Sequence, residues 1–254
     1  MTSNENCDRA QKIAVPSYFH PGSLWDKLES GYPTVQIGII NPNSGAGRSS
    51  NPDYVQQVQS SQQLGMTIIG YVYTSYGRRS LNTVKNDIDK YYNWYNVDGI
   101  FIDETITSCS DVSYYSNLYG YIKRKGGTVI INPGTQTNEC YVDVVDIILN
   151  YENVYSHYVN NYSQPSWVSN YPPSKFWHLV HKTPDISSME NAIDLSKQRN
   201  AGWIYITPDT LPNPWDTLPS EAYWDREIEL AGENDSPPED PSDQKLLQKS
   251  NSPG

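Results

Sequence analysis

Few side chains in this sequence could break a covalent bond, and three carboxylates stand out by position. Asp103 and Glu104 close the run Val97-Asp98-Gly99-Ile100-Phe101-Ile102, and Glu152 follows a second apolar run at residues 146–150. Two acids flanking a glycosidic bond suffice for its hydrolysis, one protonating the leaving oxygen and the other attacking the sugar or activating water. That chemistry needs one acid held protonated near neutral pH by burial or by its neighbour's charge. On this reading Asp103 is nucleophile or water-orienting base, Glu152 is general acid and Glu104 tunes the pair. Blander alternatives exist for each. Acids at strand ends also cap the next helix, and Glu152 could be a half-exposed acid in a turn. His20 and His181 could be plain structural histidines, and four histidines in the chain argue against a His-based metal site, so no metal is expected. A carboxylate site for a divalent cation is the remaining alternative, recognisable by loss of activity with chelator.

An apolar run without polar alternation is how a strand buried on both faces reads, which points to a parallel sheet wrapped in helices. The acids then stand at the carboxyl ends of strands, the edge where β/α folds assemble their sites. Strands are predicted at residues 13–19, 34–40, 66–73, 97–103, 128–131, 146–150, 177–181 and 202–207. Helices are predicted after Ser23 as N-cap, at 52–64 between Pro52 and Gly65, at 81–94 and 114–125, briefly around 141–145, and at 189–198 and 221–230. Eight such units at roughly 25-residue spacing predict one α/β domain, a (β/α)8 TIM-type barrel over residues 13–231. Residues 1–12 and the acidic, Pro/Ser-rich stretch 232–254 are expected to be disordered. In a barrel the polar residues after the strands share one mouth. Tyr18, His20, Asn41, Asn43, Tyr73, Asn132, His181 and Tyr205 are therefore the candidate substrate-binding residues, with Asp209 beside them, and the acids of the fourth and sixth strands face each other.

The composition narrows the partner. A formal net charge of -11 over 254 residues argues against nucleic acid and favours a neutral or cationic ligand. Twenty-one Tyr and 7 Trp against 3 Phe provide flat faces with hydrogen-bond donors at their edges, which suit sugar rings, although any single Tyr can be ordinary surface. The Gly45–Gly47 loop fits neither nucleotide fingerprint, and no cofactor is expected. Cys7, Cys109 and Cys140 lack metal-ligand spacing. Cys109 and Cys140 follow consecutive strands, and whether they pair depends on an oxidising compartment. No run is long enough to span a membrane, and the first twelve residues carry no apolar export signal. Asn161-Tyr162-Ser163 and Asn234-Asp235-Ser236 match the glycosylation pattern. A monomer is expected.

Several motifs occur in one order over residues 13–207. They are Val15-Pro16-Ser17-Tyr18, Ile40-Asn41-Pro42-Asn43-Ser44-Gly45, Gly70-Tyr71-Val72 with Tyr76-Gly77, Val97 to Glu104, Asn132-Pro133-Gly134-Thr135 and Tyr151-Glu152. In this they resemble the spherulin-4 family, which overlaps glycoside hydrolase family 135. Characterised fungal members of that group look like secreted or membrane-anchored endo-acting hydrolases of galactosaminogalactan, a polymer containing α-1,4-linked N-acetylgalactosamine. The resemblance implies a barrel, no cofactor, a polysaccharide substrate and an extracellular or cell-surface setting, and it carries the catalytic acids onto Asp103, Glu104 and Glu152. A carbohydrate-binding coat protein of spores or cysts is the alternative, since fold alone does not decide function.

Overall fold

The computed structural model describes residues 10–233. Eight parallel strands follow one another around a closed barrel in chain order. They are β1 (Lys12–Ser17), β2 (Val35–Ile40), β3 (Thr67–Tyr73), β4 (Gly99–Asp103), β5 (Thr128–Ile131), β6 (Ile147–Val154), β7 (Phe176–His181) and β8 (Trp203–Ile206). Around them lie α1 (Ser23–Glu29), α2 (Pro52–Leu64), α3 (Leu81–Tyr95), α4 (Val112–Lys123), α5 (Tyr155–Asn160), α6 (Ile186–Gln198) and α7 (Glu221–Gly232). The expected TIM-type barrel is what the chain forms. Three details of the helices differ from expectation. Ser23 is the first residue of α1 and not its cap, because Gly22 at φ 149° supplies the break and no side chain caps the helix. The helix expected near 141–145 is a 3-10 turn, Glu139–Val144. Helix α5 was not anticipated. Among the described residues no helix is long and apolar enough to cross a membrane. Residues 1–9 and 234–254, where most of both expected disordered segments and the triplet at Asn234 fall, lie outside the described residues.

The barrel is filled by rings as well as aliphatic side chains. Tyr71 of β3, Phe101 of β4 and Trp177 of β7 pack in series, with centroids 6.2 and 5.8 Å apart. Burying a side chain of this size stabilises the fold by about 1.5–3 kcal/mol. Outside, Tyr91 of α3 lies directly on Gly70, where an added Cβ would come within 2.4 Å of the ring, so the glycine sets how closely that helix packs.

Two irregularities shape the mouth. Between β6 and β7, Leu149 pairs with Trp177 but Tyr151 pairs with His178, which makes Asn150 an extra residue, a β-bulge. Trp177 faces the lumen with Phe101, and His178 faces the helices with Tyr158. Were Asn150 itself paired with His178, regular alternation would turn Tyr151 inward and Glu152 outward. With it, Tyr151 packs outward on Tyr158 and Tyr162 while Glu152 turns in. At the β8–β1 seam only Lys12 with Trp203 and Ile13 with Ile204 pair. Beyond them the fully buried Glu227 of α7 accepts the Ile206 N–H at 2.7 Å, satisfying a donor that the ladder leaves open.

Candidate active site

Asp103 is the last residue of β4, and Glu152, expected just after a strand ending at 150, lies within the longer β6. The half-exposed turn considered for Glu152 is therefore not what forms: pairing with β7 carries the strand on to Val154. Between the two acids stands Asn132, just beyond β5. Its amide nitrogen donates to Asp103 Oδ1 at 3.0 Å and to Glu152 Oε2 at 2.6 Å. One planar NH2 group thus serves both acids. The two contacts leave those carboxylate oxygens no more than about 5.6 Å apart. Asn132 is itself held, because its Oδ1 accepts the Gly134 N–H at 2.7 Å. The other oxygen of Asp103 accepts the Tyr71 hydroxyl at 2.8 Å.

These contacts separate the two acids electrostatically. Burial pushes Glu152 up to about 7, the charge of Asp103 adds to the rise, and hydrogen bonds from Asn132 and Trp215 oppose it. Burial also raises Asp103, helped by the charge of Glu104, but Tyr71, the backbone N–H of Glu104 and Asn132 all pull it back. Glu152 is thus the acid that carries a proton near neutral pH, and Asp103 the one that is ionised. Two neighbouring carboxyls pushed apart in this way can divide acid and base roles. Burial next to both acids keeps the Tyr18 hydroxyl protonated, and its ring meets Tyr71 edge-on at 5.6 Å.

The remaining candidates divide. Glu104 adjoins Asp103 in a left-handed conformation, φ 51°, and makes no side-chain hydrogen bond among the described residues; it acts on Asp103 and Tyr71 by charge. Its carbonyl receives the Tyr76 N–H and the Thr74 hydroxyl, which ties the β3 and β4 loops together. Tyr73 lies at the rim under the Arg79 guanidinium, 4.1 Å from its centroid. His181 and Tyr205 both pack on Trp215, at 6.0 and 5.9 Å, and so stand behind that ring and not beside Asp103. Burial and Lys182 push His181 down, so it is neutral. The structure does not bring His20, Asn41 or Asn43 to the acids. His20 is exposed beside Asp53 at 3.5 Å. Asn41 folds back on its own loop through the Gly45 N–H at 2.8 Å, and Asn43 is exposed on that loop. Asp209 accepts the Lys182 N–H through its backbone carbonyl at 2.7 Å. Tyr71 and Trp215 were missed. Tyr71 could have been found from strand phase, standing two residues before Tyr73 on a strand that neighbours β4; Trp215, in the loop before α7, has no periodic signal.

The loops at this end are strained and stapled. Ser44, Ser75, Tyr76, Glu104 and Lys182 are non-glycine residues with φ between 47° and 55°, and all follow strands at this rim. Cys109 and Cys140 form a disulfide that joins the loops after β4 and β5. No cluster of three or more metal-ligating side chains occurs among the described residues.

Residues 12–231 match the family described as spherulation-specific family 4. Spherulin-4 of Physarum polycephalum is 39% identical over 212 residues, 77% of this chain. The chain spans 63% of the length of that relative. Among solved structures, Sph3 of Aspergillus clavatus, determined in complex with GalNAc, superposes with TM-score 0.78 at 22% identity, covering 89% of this chain and 99% of that one. A chitinase of Rhizomucor miehei superposes at 0.53 with 13% identity, covering 87% and 100%. At these identities the structural likeness concerns the fold.

Proposed function

The chain belongs to the spherulation-specific family 4, and from that premise we propose that it is an endo-acting glycoside hydrolase of an amino-sugar polysaccharide of the galactosaminogalactan kind, cleaving α-1,4-linked N-acetylgalactosamine. The observation that carries the reading is the Asp103–Asn132–Glu152 bridge, one ionised and one protonated carboxyl held at a fixed spacing. Support for the sugar comes from the GalNAc bound in Sph3, which shares the fold. A separation of no more than about 5.6 Å between the bridged oxygens suits double displacement better than attack by a water lodged between the acids, which needs about 6.5–9.5 Å. In that scheme the Glu152 carboxyl passes its proton to the glycosidic oxygen as the C1–O bond breaks. Asp103 attacks C1, forming a glycosyl ester, and the shortened polymer leaves as an alcohol. Glu152, now a carboxylate, takes a proton from water, whose oxygen displaces Asp103 from C1 and restores both acids. Tyr71 and Asn132 hold Asp103 ionised and aimed, and Glu104 adds negative charge at its side.

The Cys109–Cys140 disulfide supports an extracellular or cell-surface setting. A coat protein that binds sugar without cleaving it has no need to bury two repelling acids together, which costs stability. The test is to replace Glu152 and Asp103 separately by Gln and Asn and to follow release of oligosaccharides from galactosaminogalactan by mass spectrometry. Each variant is expected to lose at least about 10²-fold, the usual contribution of an acid–base group. Binding by the parent with no release of product would favour the coat-protein reading.

A further inference from the structure

A polar cavity of about 280 Å³ opens on the flank of Glu152 away from the barrel axis, between the β5 loop, the end of β6 and α5. Glu152 lines it; Asp103, Tyr18 and Tyr71 do not. It is smaller than the roughly 300–1,000 Å³ that drug-sized ligands fill, a volume for one ring and not for a chain.

Three of its polar side chains, His157, Asn153 and Gln136, are anchored at one end and open at the other. The His157 ring stacks on Tyr151 at 25° and 5.9 Å, and its Nδ1 lies 3.2 Å from the Tyr151 hydroxyl. Its Nε2 makes no hydrogen bond among the described residues. Asn153 uses its Oδ1 to accept the Val154 N–H at 2.8 Å, which leaves its NH2 open. Gln136 donates its Nε2 to the Ser163 carbonyl, which leaves its Oε1 open. The cavity therefore offers a donor, an acceptor and an imidazole of either kind, all fixed in place. Hydroxyl groups, which both give and accept, are the ligands such a set recognises, and anchoring reduces the ordering that binding requires.

Position supplies the role, and here the inference rests on the hydrolase reading above. A general acid stands between the sugar under attack and the sugar that departs with the proton. Asp103 defines the side under attack. We propose that the cavity lined by Gln136, Asn153 and His157 is the subsite for the departing sugar unit of the polymer, a neutral or amine-bearing pyranose.

The test uses His157→Ala, which opens the cavity, and Gln136→Ala on the exposed loop, which keeps the fold even if the first variant does not. Each is assayed on an α-1,4-linked N-acetylgalactosamine tetrasaccharide and on an aryl α-N-acetylgalactosaminide, whose leaving group offers no hydroxyls. Tetrasaccharide affinity is also measured by calorimetry in the Glu152→Gln background, where no cleavage intervenes. The expected result is a tetrasaccharide KM raised tenfold or more, a loss of kcat/KM on the tetrasaccharide at least tenfold greater than on the aryl glycoside, and affinity weakened by a similar factor. Equal losses on both substrates, or unchanged affinity, overturn the subsite. If the parent binds the tetrasaccharide and cleaves neither compound, but the variants bind it more weakly, the hydrolase reading falls and the sugar site stands. If the parent neither binds nor cleaves, both fall.

Discussion

Asp103 and Glu152 share a single amide group, that of Asn132, which gives one hydrogen to each. Both acids are held down by it, so its removal raises both. Asn132→Leu keeps the volume and deletes the donors. The alkaline limb of kcat/KM should then move up by about one pH unit and turnover should fall on the order of 10²-fold, as a positioned pair loses its spacing. A lower rate with the limb unmoved would mean that Asn132 only supports its loop.

Tyr71→Phe keeps the ring against Phe101 and removes only the hydroxyl on Asp103. Asp103 must be ionised to attack, and it loses a bond that favours the ionised form. The acidic limb of kcat/KM should therefore rise, by about one unit for one charge-assisted hydrogen bond. The measurement is the pH profile on a soluble substrate; an acidic limb at the parental position rejects the assignment of Asp103 as the ionised partner.

Glu152 and Glu227 bind their protons more tightly folded than unfolded, Glu152 moving from an ordinary 4.5 to about 7 and the fully buried Glu227 also moving up. Their contribution is thus whole below the unfolded value and is lost as pH rises through the folded one. Their share of the stability should fall between pH 5 and pH 8, for Glu152 alone by on the order of 2–3 kcal/mol. Buried His178 and His181, held neutral, add stability as pH rises through about 6.5, so the reading is the difference in urea titrations between the parent and the Glu152→Gln/Glu227→Gln variant, which should shift against the parent by that amount over the window. A difference that does not change with pH would refute the burial argument for both groups.

The Cys109–Cys140 disulfide closes a loop across a sequence separation of 31. Loop-closure entropy for that length corresponds to about 3–4 kcal/mol, or about 10 °C in a chain of this size. Thermal melts with and without reductant, compared with the Cys109→Ser/Cys140→Ser variant, measure it directly. A shift below about 3 °C would indicate that the two loops hold each other without the bond.

How much could be read from the chain differs from residue to residue, for physical reasons. Asp103 was legible because an apolar strand ends on it, and the end of a buried strand opens on the mouth of the barrel. Asn41 and Asn132 look alike in sequence, each in an Ile-Ile-Asn-Pro setting. They part company in the fold, since Asn41 accepts from the backbone four residues on and stays within its loop, whereas Asn132 accepts two residues on and turns its NH2 to the acids. Local sequence does not encode that choice. His181 and Tyr205 follow strands and so looked like ligand groups, but Trp215, from a loop with no repeating pattern, comes between them and the acid. The length of β6 depends on its partner β7, which lies 27 residues further along the chain between the paired Leu179 and Glu152, in pairings that turn on Asn150.

The bulge at Asn150 also bears on how this site could be gained or lost in descent. Glu152 faces the lumen because one residue stands out of the pairing. Removing that codon would leave the acid where it is: Tyr151 would follow Leu149 directly, still opposite His178, with Glu152 opposite Leu179. Drawing Asn150 into the regular ladder opposite His178, with no change of length, would instead present Tyr151 to the lumen and the acid to the helices. A relative of equal length could therefore keep nearly all of the sequence, including the acid itself, and still lack the pair.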